Sequence, residues 1–176
     1  MSEFYLDTSD LAARASELCV GDRVYLSGTV YTARDQAHLA LFRLLDSASP
    51  LPLDLTGAVI YYAGPTPGRG KLPTLACGPT TSSRMDRFAP RLLDLGLAAM
   101  IGKGPRSEEV REAIIRNGAV YLCATGGAGA LIAKSIIELR EIAFPKLGCE
   151  SLKRLRISDM PLIVGIDSRG GDIFNR

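Results

Sequence analysis

The chain has 176 residues, 47% of them hydrophobic and 23% charged, and a formal net charge of +2. That length suffices for one domain with a sizeable core. The weak charge, the lack of tryptophan and the lack of Lys/Arg runs longer than a pair exclude nucleic acid as the expected partner.

Apolar stretches fall well short of a membrane span. The first residues, MSEFYLDTSD, carry acids and no apolar run, so no signal peptide is expected and the protein is read as cytoplasmic. Residues 1–20 are expected to form an N-terminal arm with one short helix, and residues 20–176 a single domain. "VGDRVYLSGTVY" alternates as a strand pair or one long bent strand. In "TARDQAHLALFRLLD", Thr32 and Asp35 have capping-box spacing, and Leu39, Phe42 and Leu45 share a helical face.

"GAVIYYAGP" is a short apolar strand closed by Gly64-Pro65. "TSSRMDRFAPRLLDLG" reads as a helix shortened or kinked by Pro90 and closed by Gly96. "LAAMIGKG" is a strand running into a glycine turn. "PRSEEVREAIIRNG" is an amphipathic helix ending at Asn117-Gly118. "AVYLCAT" is a buried strand, "GGAGALIAKSIIELREIAF" a glycine-led helix, and "LRISDMPLIVGIDSRGGDIF" one or two final strands. Alternating strands and helices flanked by further strands predict an α/β domain with a mixed sheet or small barrel flanked by helices.

Four segments share one design, a buried strand followed by a polar or glycine-rich turn and a helix: GTVY-TARD, CGPTTSSR, AAMIGKG and YLCATGGAGA. Helix N-termini present free N–H groups and partial positive charge, which suit anions. Three of these turns carry a cation: Arg34, Arg84 and Lys103. Together they would suit a small acid with more than one carboxylate, because arginine grips a carboxylate through two parallel N–H bonds. Thr80, Thr81, Ser82 and Ser83 offer more hydroxyls than capping needs. A threonine beside cations can have its hydroxyl proton acidified enough to exchange with carbon.

Other signals are weaker. ATGGAGA departs from the spacing of a dinucleotide fingerprint and suggests close backbone approach instead. His38, the only histidine, lies one helical turn after Arg34, where a structural role is the ordinary one. Cys19, Cys77, Cys123 and Cys149 form no CxxC pair, so neither a zinc site nor a disulfide framework is expected.

In this order, "GTVYTARDQAH", "IYYAGP", "GPTTSSRMD", "MIGKG" and "YLCATGGAGAL" closely resemble the β subunit of class I iron–sulfur hydro-lyases. That family contains the two-subunit fumarases and L(+)-tartrate dehydratases. The likeness runs from about Val20 to the C-terminus, which makes residues 20–176 a hydro-lyase β-type catalytic domain. It implies a swivelling β/β/α fold and a hetero-oligomer, α2β2, in which the α subunit carries a [4Fe–4S] cluster and this chain carries none. By motif, Thr80 resembles the catalytic base, and Arg34, Arg84 and Lys103 the substrate-binding cations. The implied reaction is reversible hydration of fumarate to L-malate, with a tartrate or other hydroxy-dicarboxylate dehydratase as the alternative.

Overall fold

Seven strands, β1 (Glu3–Asp7), β2 (Arg23–Thr32), β3 (Val59–Tyr61), β4 (Ala99–Gly102), β5 (Val120–Cys123), β6 (Ile136–Ala143) and β7 (Leu152–Ile166), form one sheet in the computed structural model. The structure describes residues 1–175. Strands β2, β3, β4 and β5 run parallel in that order. The long β7 then pairs antiparallel with both β5 and β2, closing five strands into a barrel. Strand β1 adds parallel to β2, and β6 antiparallel to β7. This is the expected mixed α/β architecture, a small closed barrel flanked by helices.

Side-chain alternation divides the core in two. Val24, Leu26, Val30, Tyr61, Ile101 and Leu122 point into the barrel with Leu155 and Leu162. Their neighbours Ile60, Tyr62, Met100 and Tyr121 face outward and are covered by helices α2 (Asp35–Asp46), α3 (Ala89–Asp94) and α4 (Glu108–Asn117). Strands buried on both faces read as continuous apolar runs, which is why β3, β4 and β5 are so plain in the sequence.

Four local readings are corrected. The helix expected over GGAGALIAKSIIELREIAF is only α5 (Gly129–Ala133), followed by strand β6. Ile136, Leu139 and Ile142 are spaced like a helix, but they lie on a strand with register shifts at Ile136/Glu138 and Glu141/Ala143, Ile136 and Leu139 packing on the barrel core and Ile142 on the outer, helix-covered layer. The helix expected from Thr81 is a 3-10 turn, Ser82–Met85, separated from α3, with Pro90 in the first turn of α3 where its missing N–H costs nothing. Thr32 does not cap α2: Arg34 is the N-cap residue and makes no side-chain cap, while Thr32 is buried as the last residue of β2. Finally, the first twenty residues do not stand apart as an arm. Strand β1 pairs with β2, and Leu6, Leu11, Ala15 and Leu18, around the short helix α1 (Leu11–Arg14), are buried in the barrel core.

Candidate active site at the carboxyl edge of the parallel strands

Because β2 to β5 are parallel, their carboxyl ends lie along one edge, and the segments that carry the sequence-predicted groups meet along it. Arg34 follows β2. The Thr80 loop returns to β3 through an Ala63–Pro79 bridge, and the Thr80 amide donates to the Tyr62 carbonyl at 2.7 Å. Lys103 follows β4, and the GGAGA turn follows β5.

Contacts tie these turns to one another. Arg84 grips Asp35, the residue after Arg34, through two N–H bonds: Nη2 to Oδ2 at 2.5 Å and Nε to Oδ1 at 3.2 Å. Ser82 and Lys103 are joined twice, the Ser82 amide donating to the Lys103 carbonyl at 2.9 Å and the Lys103 amide to Ser82 Oγ at 3.0 Å. Gly102 permits this closeness, since a Cβ there would lie 2.9 Å from Tyr62 Cδ2 and closer still to Ser82 Oγ. The side chain of Lys103 passes over Gly126, where a Cβ would sit 3.5 Å from Lys103 Cδ. The GGAGA turn also meets the Thr80 loop, the Cys77 amide donating to the Gly129 carbonyl at 3.0 Å. The close backbone approach expected of this turn is therefore met by Lys103 and the loop after Cys77. Arg34, Thr80, Arg84 and Lys103 thus lie on one connected edge.

The three cations differ in their surroundings. Arg84 is paired with Asp35, and Arg34 lies 3.4 Å from Glu150. Lys103 has no carboxylate within ion-pair distance among the described residues. The three cations and two carboxylates leave the edge net positive.

His38 is wholly buried, stacked on Phe88 at 5.2 Å between centroids and edge-on to Tyr62 at 5.6 Å. Its Nδ1 lies 2.9 Å from the Arg34 carbonyl, which can only accept, so Nδ1 carries the proton. Burial lowers its pKa to about 4, keeping the ring neutral at pH 7.

Three residues unnoticed in the sequence support this edge. Arg106 is fully enclosed and donates from Nε to Asp86 at 2.6 Å, with its guanidinium between the rings of Tyr62 (5.3 Å) and Tyr121 (4.9 Å). Tyr121 in turn meets Ser82 Oγ through its hydroxyl at 2.8 Å. Glu150 and the buried Lys153 stand behind Arg34. All three sit in sequence contexts that resemble ordinary surface charge, and only folding brings them inward.

Two observations bound the site. A cavity of about 660 Å³ opens elsewhere, between Thr8, Gly28, Thr56, Arg154 and Arg156, and none of the four predicted residues lines it. No three His, Cys, Asp or Glu side chains among the described residues gather as metal ligands; burial pushes the Cys77 thiol up to about 12 and Cys123 up to about 11. The described residues therefore do not fit an iron–sulfur cluster, whose thiolate ligands must converge.

The chain is a mixed α/β domain, a closed barrel whose cation-bearing turns and hydroxyl-bearing loop meet at the carboxyl edge of its parallel strands. The fumarase C-terminus family model matches residues 1–176, and the chain belongs to that family. It is 36% identical to "Fumarate hydratase class I, anaerobic" of Escherichia coli (strain K12) over 95% of this chain and 31% of that protein. It is 36% identical to "Fumarate hydratase 2" of Leishmania major over 92% of this chain and 29% of that protein. With "L(+)-tartrate dehydratase subunit beta" of Escherichia coli (strain K12) the identity is 34%, over 96% of this chain and 85% of that subunit. The chain thus spans about a third of the length of the fumarate hydratases it matches. Among the described residues no helix is long and apolar enough to cross a membrane.

Proposed function

We propose that this chain is the β subunit of a hydro-lyase that interconverts fumarate and L-malate. The observation that supports this most is the gathering of Arg34, Arg84 and Lys103 with Thr80 on one edge, in a chain of this family. The cations hold the two carboxylates of the substrate. Thr80, deprotonated with the help of the neighbouring positive charge, takes the proton from the carbon beside one carboxylate; the electron pair of that C–H bond forms the double bond, the C–O bond on the adjacent carbon breaks, and the departing hydroxide takes a proton from solvent to become water. In the reverse direction Thr80 returns the proton. Positive charge fixed before the reaction stabilises the negative charge that builds on that carboxylate as the C–H bond breaks.

The site is an open edge, so a second surface must cover it to exclude water. We assign that surface to an α subunit, in an α2β2 assembly, because a matched relative is itself named a beta subunit. The [4Fe–4S] cluster that the sequence resemblance implies is assigned to the α subunit as well.

One observation favours a second reading, dehydration of L(+)-tartrate: the match to the tartrate dehydratase subunit covers 85% of that relative, whereas the match to the anaerobic fumarate hydratase covers 31%. The test is to express the chain with its partner subunit, reconstitute iron and sulfide anaerobically, and assay fumarate, L-malate and L(+)-tartrate. Turnover of fumarate and malate alone supports the first reading and turnover of tartrate alone the second. An assembled complex inert toward all three sinks both.

A further inference from the structure

Glu150 reaches Arg34 from the far end of the chain. It ends the 3-10 segment Pro145–Glu150, and one carboxylate oxygen lies 3.4 Å from Arg34 Nη2. The other accepts the Gln36 amide at 3.0 Å. Gln36 is the second residue of α2, whose first-turn N–H groups have no intrahelical acceptor, and no side chain of the helix's own N-cap serves them. Glu150 therefore caps the helix across the fold and holds the guanidinium at the same time. Both side chains are largely enclosed, Arg34 at 23% and Glu150 at 18% exposure.

The segment bearing Glu150 is itself clasped. Lys153, buried on β7, donates Nζ to the carbonyls of Gly148 (2.9 Å), Cys149 (3.3 Å) and Ser151 (3.3 Å) and to Ser151 Oγ (2.5 Å). Ser151 Oγ donates in turn to Glu141 at 2.6 Å. A buried ammonium satisfied mainly by the oxygens of one turn is costly unless every donor is used. Its effect here is to fix the turn that carries Glu150. On the other side Gly64 leaves room for the guanidinium: a Cβ there would lie 3.1 Å from Arg34 Nη1 and 3.2 Å from the Cys149 carbonyl. Arg34 is thus slotted between the turn after β3 and the clasped segment. Its Nε is buried without a partner, and its side chain makes no hydrogen bond among the described residues.

We propose that Glu150 is a positioning residue for Arg34, holding the guanidinium in its slot so that its unused N–H groups face the carboxylate of a hydroxy-diacid. This rests on the function proposed above and adds to it a residue outside the turns that carry the candidate site. Charge alone argues the reverse. A carboxylate beside the site repels a dianion, so neutralising it would strengthen binding if field were its only influence. The sign of the effect therefore separates positioning from charge.

The test is Glu150→Gln in the complex reconstituted with the α subunit. Expected is a fall in kcat/KM of about ten- to a hundredfold, carried mainly by KM, as displacement of a substrate-holding group produces. A second readout needs no turnover: in the full-length chain, NMR relaxation of the Arg34 Nε–H group should show greater side-chain mobility in Glu150→Gln, and the Gln36 amide should exchange faster with solvent. An unchanged or lower KM, or an Arg34 side chain as ordered as in the wild type, overturns the proposal. If the wild-type complex turns over no hydroxy-diacid, the function proposed above fails, and the NMR readout still decides whether Glu150 orders Arg34.

Discussion

Arg84 and Asp35, 49 positions apart, are joined by two N–H bonds, and through them the turn after β2 is joined to the turn that follows Thr80. The consequence is geometric. Asp35 follows Arg34 directly, so the two arginines carried by separate turns lie on the same side of the barrel. The pair is partly open to solvent, with side-chain exposures of 47% for Arg84 and 20% for Asp35, so its worth is mainly positional.

Arg84→Lys separates these roles. Lysine keeps the charge but cannot form the planar two-point contact. Stability measured by urea unfolding should fall by no more than about 1 kcal/mol, as for an exposed pair. By steady-state kinetics of the assembled complex, kcat/KM for the diacid should fall by roughly one to two orders of magnitude, as loss of a substrate-orienting group does. Unaltered kinetics would remove Arg84 from the site.

Thr80→Ala removes the proposed base while keeping the backbone amide that bonds the Tyr62 carbonyl. The expected outcome is a fall in kcat of about 10²–10⁴-fold with KM little changed, the range lost with a general base. Thermal unfolding of the variant should match the wild type. Full activity would assign the proton transfer to another group.

Arg106→Met tests the support behind the edge. The substitution leaves Asp86 partnered only by the Ser107 amide, at 2.7 Å, and removes the cation from between Tyr62 and Tyr121. Breaking a buried pair from one side costs about 3–5 kcal/mol, which urea unfolding would register. A loss below about 1 kcal/mol, the worth of an exposed pair, would show that the pair is not held as described.

His38 sets a pH dependence of stability. Its folded-state pKa is lowered to about 4 by burial, below the ordinary 6.5, so the unfolded chain binds the proton more readily. Its contribution is complete above pH 6.5 and is lost as pH falls from 6.5 toward 4, at up to about 1.4 kcal/mol per pH unit. No other histidine titrates in that window. Urea unfolding at pH 7 and pH 5 should show the drop in the wild type and a much smaller one in His38→Phe. Equal drops would place the proton elsewhere.

The parts of the fold legible in the sequence were those written in short-range chemistry. Strands β3, β4 and β5 are apolar on both faces, and helix α4 ends at Asn117 with Gly118 in the left-handed region, so pattern and structure coincide there; its start does not, since the helix begins at Glu108 after Ser107 and not at the expected proline. The turns bearing Arg34 and Lys103 were legible because each stands between a strand and a helix; Thr80 and Arg84 were legible by their run of hydroxyls and a cation, although no strand directly precedes them and Arg84 lies in a 3-10 turn. Strand β6 was not: its bulges give Ile136, Leu139 and Ile142 a helical spacing. Nor were Glu150, Lys153 and Arg106. Their partners lie across the fold or on the backbone, and a helix capped from 114 residues away leaves no mark beside it. Barrel closure depends on β7 pairing with strands at both ends of the parallel run, which no local pattern encodes.

The most direct test is a crystal structure of the assembled α and β subunits with a hydroxy-dicarboxylate bound. The account predicts the guanidinium groups of Arg34 and Arg84 and the ammonium of Lys103 on the carboxylates, with the Thr80 hydroxyl against the carbon that yields its proton. A diacid bound away from these four side chains, or held by the partner subunit alone, would contradict it.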